Sequence, residues 1–245
     1  MSMNDAALAA HLAETAGRIL LQVRESGMFE GKPLGSAGDE VSNKFLLHAL
    51  KVQRPEDAVL SEEARDTLSR LEASRVWIID PVDGTREYGE AREDWAVHVG
   101  LAIDGEAAVG AVALPGLGGG TVFRSDDTAP LPGHDGKPRL LVSRTRPAPE
   151  AERVAEALGG ELVPMGSAGA KAMAVVRGEA EIYLHTGGQY QWDNCAPVAV
   201  AKAHGLHCSR ADGSPLVYNR PDTSMPDLLI CRPEWADRVL EIVNP

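Results

Sequence analysis

A short apolar run that stops at a dense group of polar residues constrains the fold of this 245-residue chain more than any other feature. Residues 76–79 read Val-Trp-Ile-Ile, which predicts a short buried strand, and residues 80–85 continue as Asp-Pro-Val-Asp-Gly-Thr. Pro81 has no amide hydrogen to give to a ladder, so we expect the chain to leave the sheet there. Ligands of open α/β sheets bind in the crevice at the carboxyl ends of the strands, and we therefore expect Asp80 and Asp83 to lie at such a crevice.

Two other segments supply carboxylates of the same kind. Glu62 follows the apolar pair at residues 59–60, and Asp193 stands at the predicted start of a helix. Oxygen ligands without a cluster of cysteines and histidines suit Mg²⁺ or Mn²⁺ and argue against zinc. Because converging carboxylates repel one another, the arrangement makes physical sense only with divalent cations bound. The sequence therefore predicts a Mg²⁺ site, in which Mn²⁺ can substitute.

Composition and charge exclude several classes of protein. Apolar residues make up 44% of the chain, which is enough to build a core. With 24 basic and 36 acidic residues the formal net charge is −12, which argues against binding to a nucleic-acid polymer. A small phosphorylated nucleotide or sugar phosphate remains a permitted partner. No stretch approaches the roughly 18 uninterrupted apolar residues of a membrane span, so no membrane association is expected.

The cysteines and histidines give no sign of a disulfide or a zinc site. Cys195, Cys208 and Cys231 are odd in number and lack Cys-x-x-Cys spacing, so we expect free thiols. His204 and His207 are separated by a glycine that ends the predicted helix, and we interpret them as core or surface residues. The chain starts without a basic region ahead of an apolar run, as a secretory signal would have. These features predict a cytoplasmic protein.

Hydrophobic spacing predicts an α/β protein in which helices and strands alternate. A glycine-rich loop is expected over residues 27–40, and further loops over 115–120 and 125–137. The last of these suggests one domain with two closely packed halves, residues 1–133 and 134–245. The predicted helices cover residues 8–23, 42–53, 149–158, 168–177, 193–204 and 233–243, and the predicted strands cover 59–60, 76–79, 95–103, 107–114, 139–142, 161–163, 180–184, 216–218 and 228–231.

Three motifs in a fixed order carry a family resemblance. Ser61-Glu62-Glu63, the motif at residues 80–85 and Trp192-Asp193 together resemble the inositol monophosphatase superfamily over nearly the whole chain. Gly166-Ser167 followed by Lys171 belongs to the same pattern. The resemblance implies an alternating α-β-α-β-α sandwich of the sugar-phosphatase and inositol monophosphatase type.

Within the superfamily, Ser61-Glu62-Glu63 and the run Leu141-Val142-Ser143-Arg144 are more similar to the 3′(2′),5′-bisphosphate nucleotidases of sulfate assimilation. This resemblance implies Mg²⁺-dependent, lithium-sensitive hydrolysis of the 3′-phosphate of 3′-phosphoadenosine 5′-phosphate, and leaves open whether its sulfated form is cleaved. The alternatives are an inositol-1-phosphate or fructose-1,6-bisphosphate phosphatase and, from another class, an inactive nucleotide-binding regulator. Either a monomer or a homodimer is compatible with the sequence.

The resemblance also implies roles for single residues. Asp80 bridges two ions, and its neighbours contribute the Val82 carbonyl oxygen and the carboxylate of Asp83. Thr85 helps to position the attacking water, unless it merely caps a turn, and Ser167 is either a phosphate contact or an ordinary helix cap. The implied metal ligands are Glu62, Asp80, Val82, Asp83 and Asp193, the implied catalytic residues are Glu62, Asp80, Thr85 and Asp39, and the implied substrate contacts are Asp83, Gly84, Thr85, Ser143, Arg144, Ser167 and Lys171.

The first loop departs from the family pattern. The family usually has Val-Thr-x-x-Asp there, and its Asp pairs with the threonine to polarise water, whereas Val41 is followed here by Ser-Asn-Lys-Phe. No carboxylate occupies the expected place after Val41. Asp39 is the nearest substitute, and we expect it to act in catalysis and to hold a third Mg²⁺ directly or through water.

Overall fold

The computed structural model describes residues 3–244, in which helices and strands follow one another along the chain. Local sequence explains several helix ends. The Asn4 side chain accepts a 2.8 Å hydrogen bond from the Ala7 amide at the first helix, and Gly159 ends the fourth with a φ of 63°. Within the described residues the α-helices are α1 (Asp5–Glu25), α2 (Gly31–Gln53), α3 (Thr85–Gly89), α4 (Pro149–Leu158), α5 (Ala168–Val176), α6 (Gln191–Ala203) and α7 (Pro233–Val243).

The strands of residues 3–244 form two five-stranded sheets and one two-stranded sheet. They are β1 (Ala58–Ser61), β2 (Arg75–Asp83), β3 (Ala96–Ile103), β4 (Glu106–Leu114), β5 (Thr121–Arg124), β6 (Arg139–Ser143), β7 (Glu161–Met165), β8 (Ile182–His185), β9 (Gln189–Tyr190), β10 (His207–Ser209), β11 (Ser224–Met225) and β12 (Leu228–Cys231). The first sheet has the order β1-β2-β3-β4-β5, the second has the order β10-β12-β8-β6-β7, and β9 pairs with β11.

Helices cover both faces of each large sheet, which gives five layers. The first layer, α1 and α2, packs on the first sheet around a core that includes Leu20, Leu46 and Trp77. The helices α5 and α6 fill the space between the two sheets. The helices α4 and α7 cover the outer face of the second sheet around Val154 and Val239. The predicted α-β-α-β-α sandwich is confirmed.

Two glycines let α6 lie directly against the first sheet. A Cβ atom on Gly110 of β4 would stand 2.4 Å from the carbonyl oxygen of Ala196, and one on Gly100 of β3 would stand 2.9 Å from the Ala196 amide nitrogen. Only glycine permits such a close approach of two backbones. Because α6 also carries Asp193, this contact sets how far that carboxylate lies from β2.

The prediction of a glycine-rich loop over residues 27–40 is wrong, because α2 begins inside this segment. Its glycines serve helix packing instead of turns. A Cβ atom on Gly35 would lie 2.7 Å from Thr85 Cγ2, and one on Gly38 would lie 2.6 Å from Tyr88 Cε1. Glycine is unfavourable inside an isolated helix, and here the close contact with α3 compensates for it.

Smaller differences concern short strands. The strand predicted at residues 216–218 is wrong, since Leu216 and Tyr218 are buried but the segment lies outside the strands. The Tyr218 amide donates at 2.9 Å to the carbonyl oxygen of Gly105, in the turn between β3 and β4. The sequence analysis did not predict β5, β9, β10 and β11, which have two to four residues each.

Other expectations have mixed outcomes. The three cysteines are free thiols, as predicted. Residues 125–138, between β5 and β6, contain neither a helix nor a named strand, and the division into halves at residues 133 and 134 stays a prediction. Among the described residues, every helix is too short or too polar to pass through a bilayer.

Candidate metal centre

Two parallel strands bring the first two carboxylate segments side by side. Ser61 of β1 lies opposite Ile79 of β2, so Glu62 and Asp80 follow at the same edge of the sheet. The Glu62 amide also donates to the Ile79 carbonyl at 3.4 Å. The parallel pairing is thus the reason why acids 18 positions apart in the sequence meet.

A β-bulge directs Asp80 and Asp83 to the crevice. Both residues pair with β3, and the register of the pairing shifts between them. The expectation that the chain leaves the sheet at Pro81 is therefore wrong. The bulge accommodates the missing amide hydrogen of Pro81, and the ladder resumes at Asp83. Gly84 then adopts a φ of 87° and turns the chain into α3.

Three carboxylates converge at this edge. Asp80, Asp83 and Asp193 each offer one oxygen, and these oxygens all lie within 4.8 Å of one another. Burial and the nearby charge of Glu62 raise the pKa of Asp80 well above its ordinary value. Burial and the charge of Asp83 raise the pKa of Asp193 to about 6. Loss of hydration in the crevice and the charge of Asp193 raise the pKa of Glu62 to about 7. This crowded, all-oxygen donor set fits Mg²⁺.

Asp83 differs from its neighbours because the amino-terminal end of α5 holds it. The Ser167 hydroxyl and the Gly169 amide donate to Oδ2, the latter at 2.6 Å, and the Ala168 amide donates to Oδ1 at 3.0 Å. His98 Nε2 lies 3.1 Å from Oδ2. Burial alone would raise the pKa of Asp83, but the charge of His98 and these hydrogen bonds lower it to about 2. Asp83 therefore stays ionised.

His98 is a contact that the sequence analysis did not predict. It is fully buried in β3, and its Nδ1 lies 3.0 Å from the carbonyl oxygen of Trp192. Since a carbonyl only accepts, Nδ1 carries the proton. The charge of Asp83 raises the pKa of His98, although burial opposes this. A histidine inside an otherwise apolar strand was the available signal, because buried polar groups need partners.

Asp39, the predicted substitute for the missing loop carboxylate, lies next to Thr85. The Thr85 hydroxyl is 3.3 Å from Asp39 Oδ1 and 3.0 Å from the carbonyl oxygen of Val82. Burial and the charge of Glu63 raise the pKa of Asp39 to about 7. The sequence contained a usable signal: Ser36 stands three positions before Asp39, so the family's hydroxyl-x-x-Asp pattern occurs earlier in the chain than expected.

The next turn of α2 fixes the two acidic segments. The Ser42 hydroxyl donates to the Pro81 carbonyl at 2.9 Å, and the Asn43 side-chain amide donates to the Glu63 carbonyl at 3.0 Å. The Ser61 hydroxyl donates to the side-chain oxygen of Asn43 at 2.8 Å. These bonds explain why polar side chains at buried positions of α2 are tolerated.

Lys171 is buried, whereas a direct substrate contact requires an accessible ammonium group. Its Nζ donates to the carbonyl oxygens of Ser167, Gly166 and Met165, the last two at 3.3 and 3.5 Å, and lies 5.3 Å from the centre of the Tyr183 ring. Burial lowers the pKa of Lys171. These bonds hold the turn that places Ser167 beside the carboxylates, and the substrate contact of Lys171 stays a prediction.

Ser143 and Arg144 lie at the carboxyl end of β6. The Arg144 guanidinium donates to Glu87 at 2.7 Å and to Glu90 at 2.6 Å, which links this strand to α3. The Ser143 hydroxyl lies 3.4 Å from the hydroxyl of Thr145. The substrate contacts of both residues stay predictions.

A cavity of about 580 Å³ opens beside Asp39 and Thr85. The first turns of α2 form one wall, with Lys32 and Ser36, and α3 forms the other, with Arg86. Solvent in this cavity therefore reaches Asp39 and Thr85 from the side of α2.

Comparisons with known proteins agree with this fold. A model of the inositol monophosphatase family matches residues 5–244. A 3′-phosphoadenosine 5′-phosphate phosphatase of Mycobacterium leprae is 49% identical over 99% of this chain and 94% of that protein. The enzyme of the same name in Mycobacterium tuberculosis is 50% identical over 92% of this chain and 88% of that protein. The crystal structure of CysQ from Bacteroides thetaiotaomicron superposes with a TM-score of 0.77 at 23% identity, covering 92% of this chain and 96% of that one. The chain belongs to the inositol monophosphatase family.

Proposed function

We propose that this protein is a Mg²⁺-dependent phosphatase that removes the 3′-phosphate of 3′-phosphoadenosine 5′-phosphate and releases AMP and phosphate. The observation that carries the reaction class is the convergence of the Asp80, Asp83 and Asp193 oxygens within 4.8 Å, with Glu62 on the adjoining strand end. The choice of substrate is supported by the two relatives with about half of their residues identical, which bear this substrate in their names.

The metal ligands proposed are Glu62, Asp80, Asp83 and Asp193, together with the carbonyl oxygen of Val82. When bound, Mg²⁺ neutralises these carboxylates and supplies positive charge to the phosphoryl group during in-line displacement. The Val82 carbonyl oxygen lies 3.0 Å from the Thr85 hydroxyl, which can donate to it when it does not donate to Asp39. A third ion, held by Asp39, remains part of the proposal.

The chain's own groups supply the other requirements of hydrolysis. The Thr85 hydroxyl, held by Asp39, orients a water molecule that enters through the adjoining cavity. When Thr85 donates its proton to Asp39, its free lone pair can accept a hydrogen bond from that water. Gly84 has a φ of 87°, and a Cβ atom there would lie 3.2 Å from Ser167 Cβ, so glycine lets this turn pack against the start of α5. A phosphate contact of the Gly84 backbone remains part of the proposal. No covalent phosphoenzyme is needed.

Replacing Asp39 with asparagine is expected to lower kcat by about 10²- to 10⁴-fold, the usual contribution of a positioned acid or base. Asparagine has the same shape, can still accept from Thr85 and removes a carboxylate whose ionisation is opposed by burial, so the melting temperature should not fall. Steady-state kinetics with Mg²⁺ and thermal unfolding measure the two effects. Glu40→Gln is the matched control, since Glu40 is exposed on the next position of α2 and pairs with Lys44. Equal kcat values for Asp39→Asn and Glu40→Gln would refute the role of Asp39.

A side-by-side substrate comparison tests the proposed function. We expect the highest kcat/KM for 3′-phosphoadenosine 5′-phosphate, a lower value for inositol 1-phosphate and fructose 1,6-bisphosphate, and inhibition by Li⁺. Phosphate release with Mg²⁺, with Mn²⁺ and with EDTA is the measurement. A higher kcat/KM for inositol 1-phosphate would favour the inositol phosphatase alternative, and nucleotide binding without any hydrolysis would favour the inactive regulator.

Several expectations accompany this function. We propose a cytoplasmic location, because the substrate belongs to sulfate assimilation and the thiols are free. The sulfated form of the nucleotide is proposed as a second substrate, and the protein as a monomer or a homodimer of chains with two closely packed halves, residues 1–133 and 134–245. Size-exclusion chromatography with light scattering measures the oligomeric state.

A further inference from the structure

One tyrosine beside the carboxylates is exposed, although the other three are buried. Tyr88, Tyr183 and Tyr218 are at most 2% exposed, whereas Tyr190 is 51% exposed. Aromatic residues make up only 4% of the chain, and leaving one of their rings in water forgoes much of its burial energy. The exposure of Tyr190 therefore suggests that its ring contacts a ligand.

The Tyr190 ring is fixed on one side. It stacks on Trp192 with ring centres 4.8 Å apart and an angle of 11° between the planes. The Tyr190 amide donates to the carboxylate of Asp193, and Tyr190 pairs with Ser224 through β9 and β11. Backbone and ring are thus both held, and the ring face away from Trp192 is the exposed one. A flat, preformed aromatic surface remains.

The segment that carries this surface follows β8 at the carboxyl-end edge of the second sheet. The strands β6, β7 and β8 are parallel, so their carboxyl ends meet at one edge, where ligands of α/β folds bind. The turn that leads from β8 to Tyr190 contains Gly188, at which an added Cβ atom would meet nothing within 4 Å. The same turn continues into Asp193, so ring and metal ligand belong to one structural unit.

We propose that the outer face of Tyr190 is a platform on which the purine base of the substrate stacks, and that this contact selects nucleotides over base-free phosphomonoesters. The inference rests on the proposed function, because it requires a substrate that carries a base. The proposed metal centre would bind the phosphate of any phosphomonoester alike, whereas stacking on an aromatic ring requires a flat π-system. The Trp192 ring supports the platform from behind.

Tyr190→Ala tests the platform. Stacking of one base on an aromatic side chain corresponds to about a 5-fold to 150-fold difference in binding. We expect the ratio of kcat/KM for 3′-phosphoadenosine 5′-phosphate to that for inositol 1-phosphate to fall by this factor, mainly through KM of the nucleotide. Tyr190→Phe retains the ring and should keep the wild-type ratio. Activity of Tyr190→Ala on inositol 1-phosphate confirms that the variant is folded.

Phe29→Ala is the matched control, because Phe29 is also an exposed aromatic residue, 44% accessible, on the segment between α1 and α2. An unchanged substrate ratio in Tyr190→Ala, or an equal loss in Phe29→Ala, would overturn the platform. A titration with AMP, followed by tryptophan fluorescence, should give weaker binding only in Tyr190→Ala. If the proposed function is wrong, the wild type will not hydrolyse 3′-phosphoadenosine 5′-phosphate. The AMP titration would still show in that case whether Tyr190 contributes to nucleotide binding.

Discussion

The Asp80→Asn variant is expected to lose about 10³-fold or more in kcat and, in the absence of metal, to be more stable than the wild type. The loss follows because Asp80 contributes an oxygen to the proposed metal centre, and metal charge is worth several kcal/mol in such transition states. The gain in stability follows because Asp80 is buried among Glu62, Asp83 and Asp193, whose charges raise its pKa. Asparagine removes one of these like charges and can still accept from the Val82 amide.

The pH dependence of the metal-free wild type gives an independent check. The pKa values of Asp39 and Glu62 are raised to about 7 and that of Asp193 to about 6, above the values of an unfolded chain. The folded state therefore binds more protons, so its stability should fall as the pH rises from about 5 to about 8. Thermal unfolding in EDTA should show this slope, and Mg²⁺ should abolish it. A metal-free Asp80→Asn protein that melts below the wild type at pH 8 would contradict the proposed repulsion.

The Asp83→Asn variant should behave in the opposite way, losing both turnover and stability. The Asp83 carboxylate accepts from the Ser167 hydroxyl and the Gly169 amide, and His98 lies 3.1 Å away. An asparagine amide would place a donor among these donors, which leaves buried groups unpaired. A pKa of about 2, against the ordinary aspartate value of 3.8, corresponds to about 2 kcal/mol of stability above pH 4. We expect at least this loss at pH 7, with kcat reduced by about 10³-fold.

The pH dependence of the stability lost in Asp83→Asn distinguishes the loss of an ionised carboxylate from a general loss of packing. Because the pKa of Asp83 is lower in the folded state than in the unfolded state, ionised Asp83 adds to the free energy of unfolding. This contribution is complete above about pH 4 and disappears as the pH falls through about 2. The difference between wild type and Asp83→Asn should therefore narrow in acid, as measured by urea unfolding at pH 7 and at pH 3. Asp126→Asn, which alters an exposed ion pair with Arg124, serves as the control. An equal difference in the free energy of unfolding at both pH values would refute the proposal that ionised Asp83 stabilises the fold.

The sequence predicted those elements in which local signals and tertiary packing agree. The helices α4 and α7 have the predicted bounds, because each starts with a proline in its first turn, and the first of them ends at a glycine. The strand β12 also has the predicted bounds, 228–231. The prediction was wrong where tertiary packing requires a residue type that usually indicates a loop. Gly35 and Gly38 indicated a loop, yet they lie inside α2, where only a hydrogen atom fits against Thr85 and Tyr88.

The candidate site shows the same limit. The motif at residues 80–85 indicated acidic metal ligands because their spacing is local. The neighbours of His98 depend on the folded arrangement, because His98 meets Asp83 and Trp192 across the fold. Lys171 bonds to carbonyl oxygens of its own helix turn, but its ammonium group also lies 5.3 Å from the Tyr183 ring on the neighbouring strand. Local patterns in a single sequence do not identify such partners, and only the expectation that buried polar groups are hydrogen-bonded could have suggested that they exist.

The hydrogen bonds from the start of α5 to Asp83 have a consequence for synthesis of the protein. A nascent chain that has emerged from the ribosome only as far as β5 contains Glu62, Asp80 and Asp83, but it lacks the amides of Ala168 and Gly169 and the carboxylate of Asp193. Capture of cations in the final geometry must therefore wait until α6 has been translated. Binding of the proposed metal ions would then stabilise the finished protein and not its unfinished precursors.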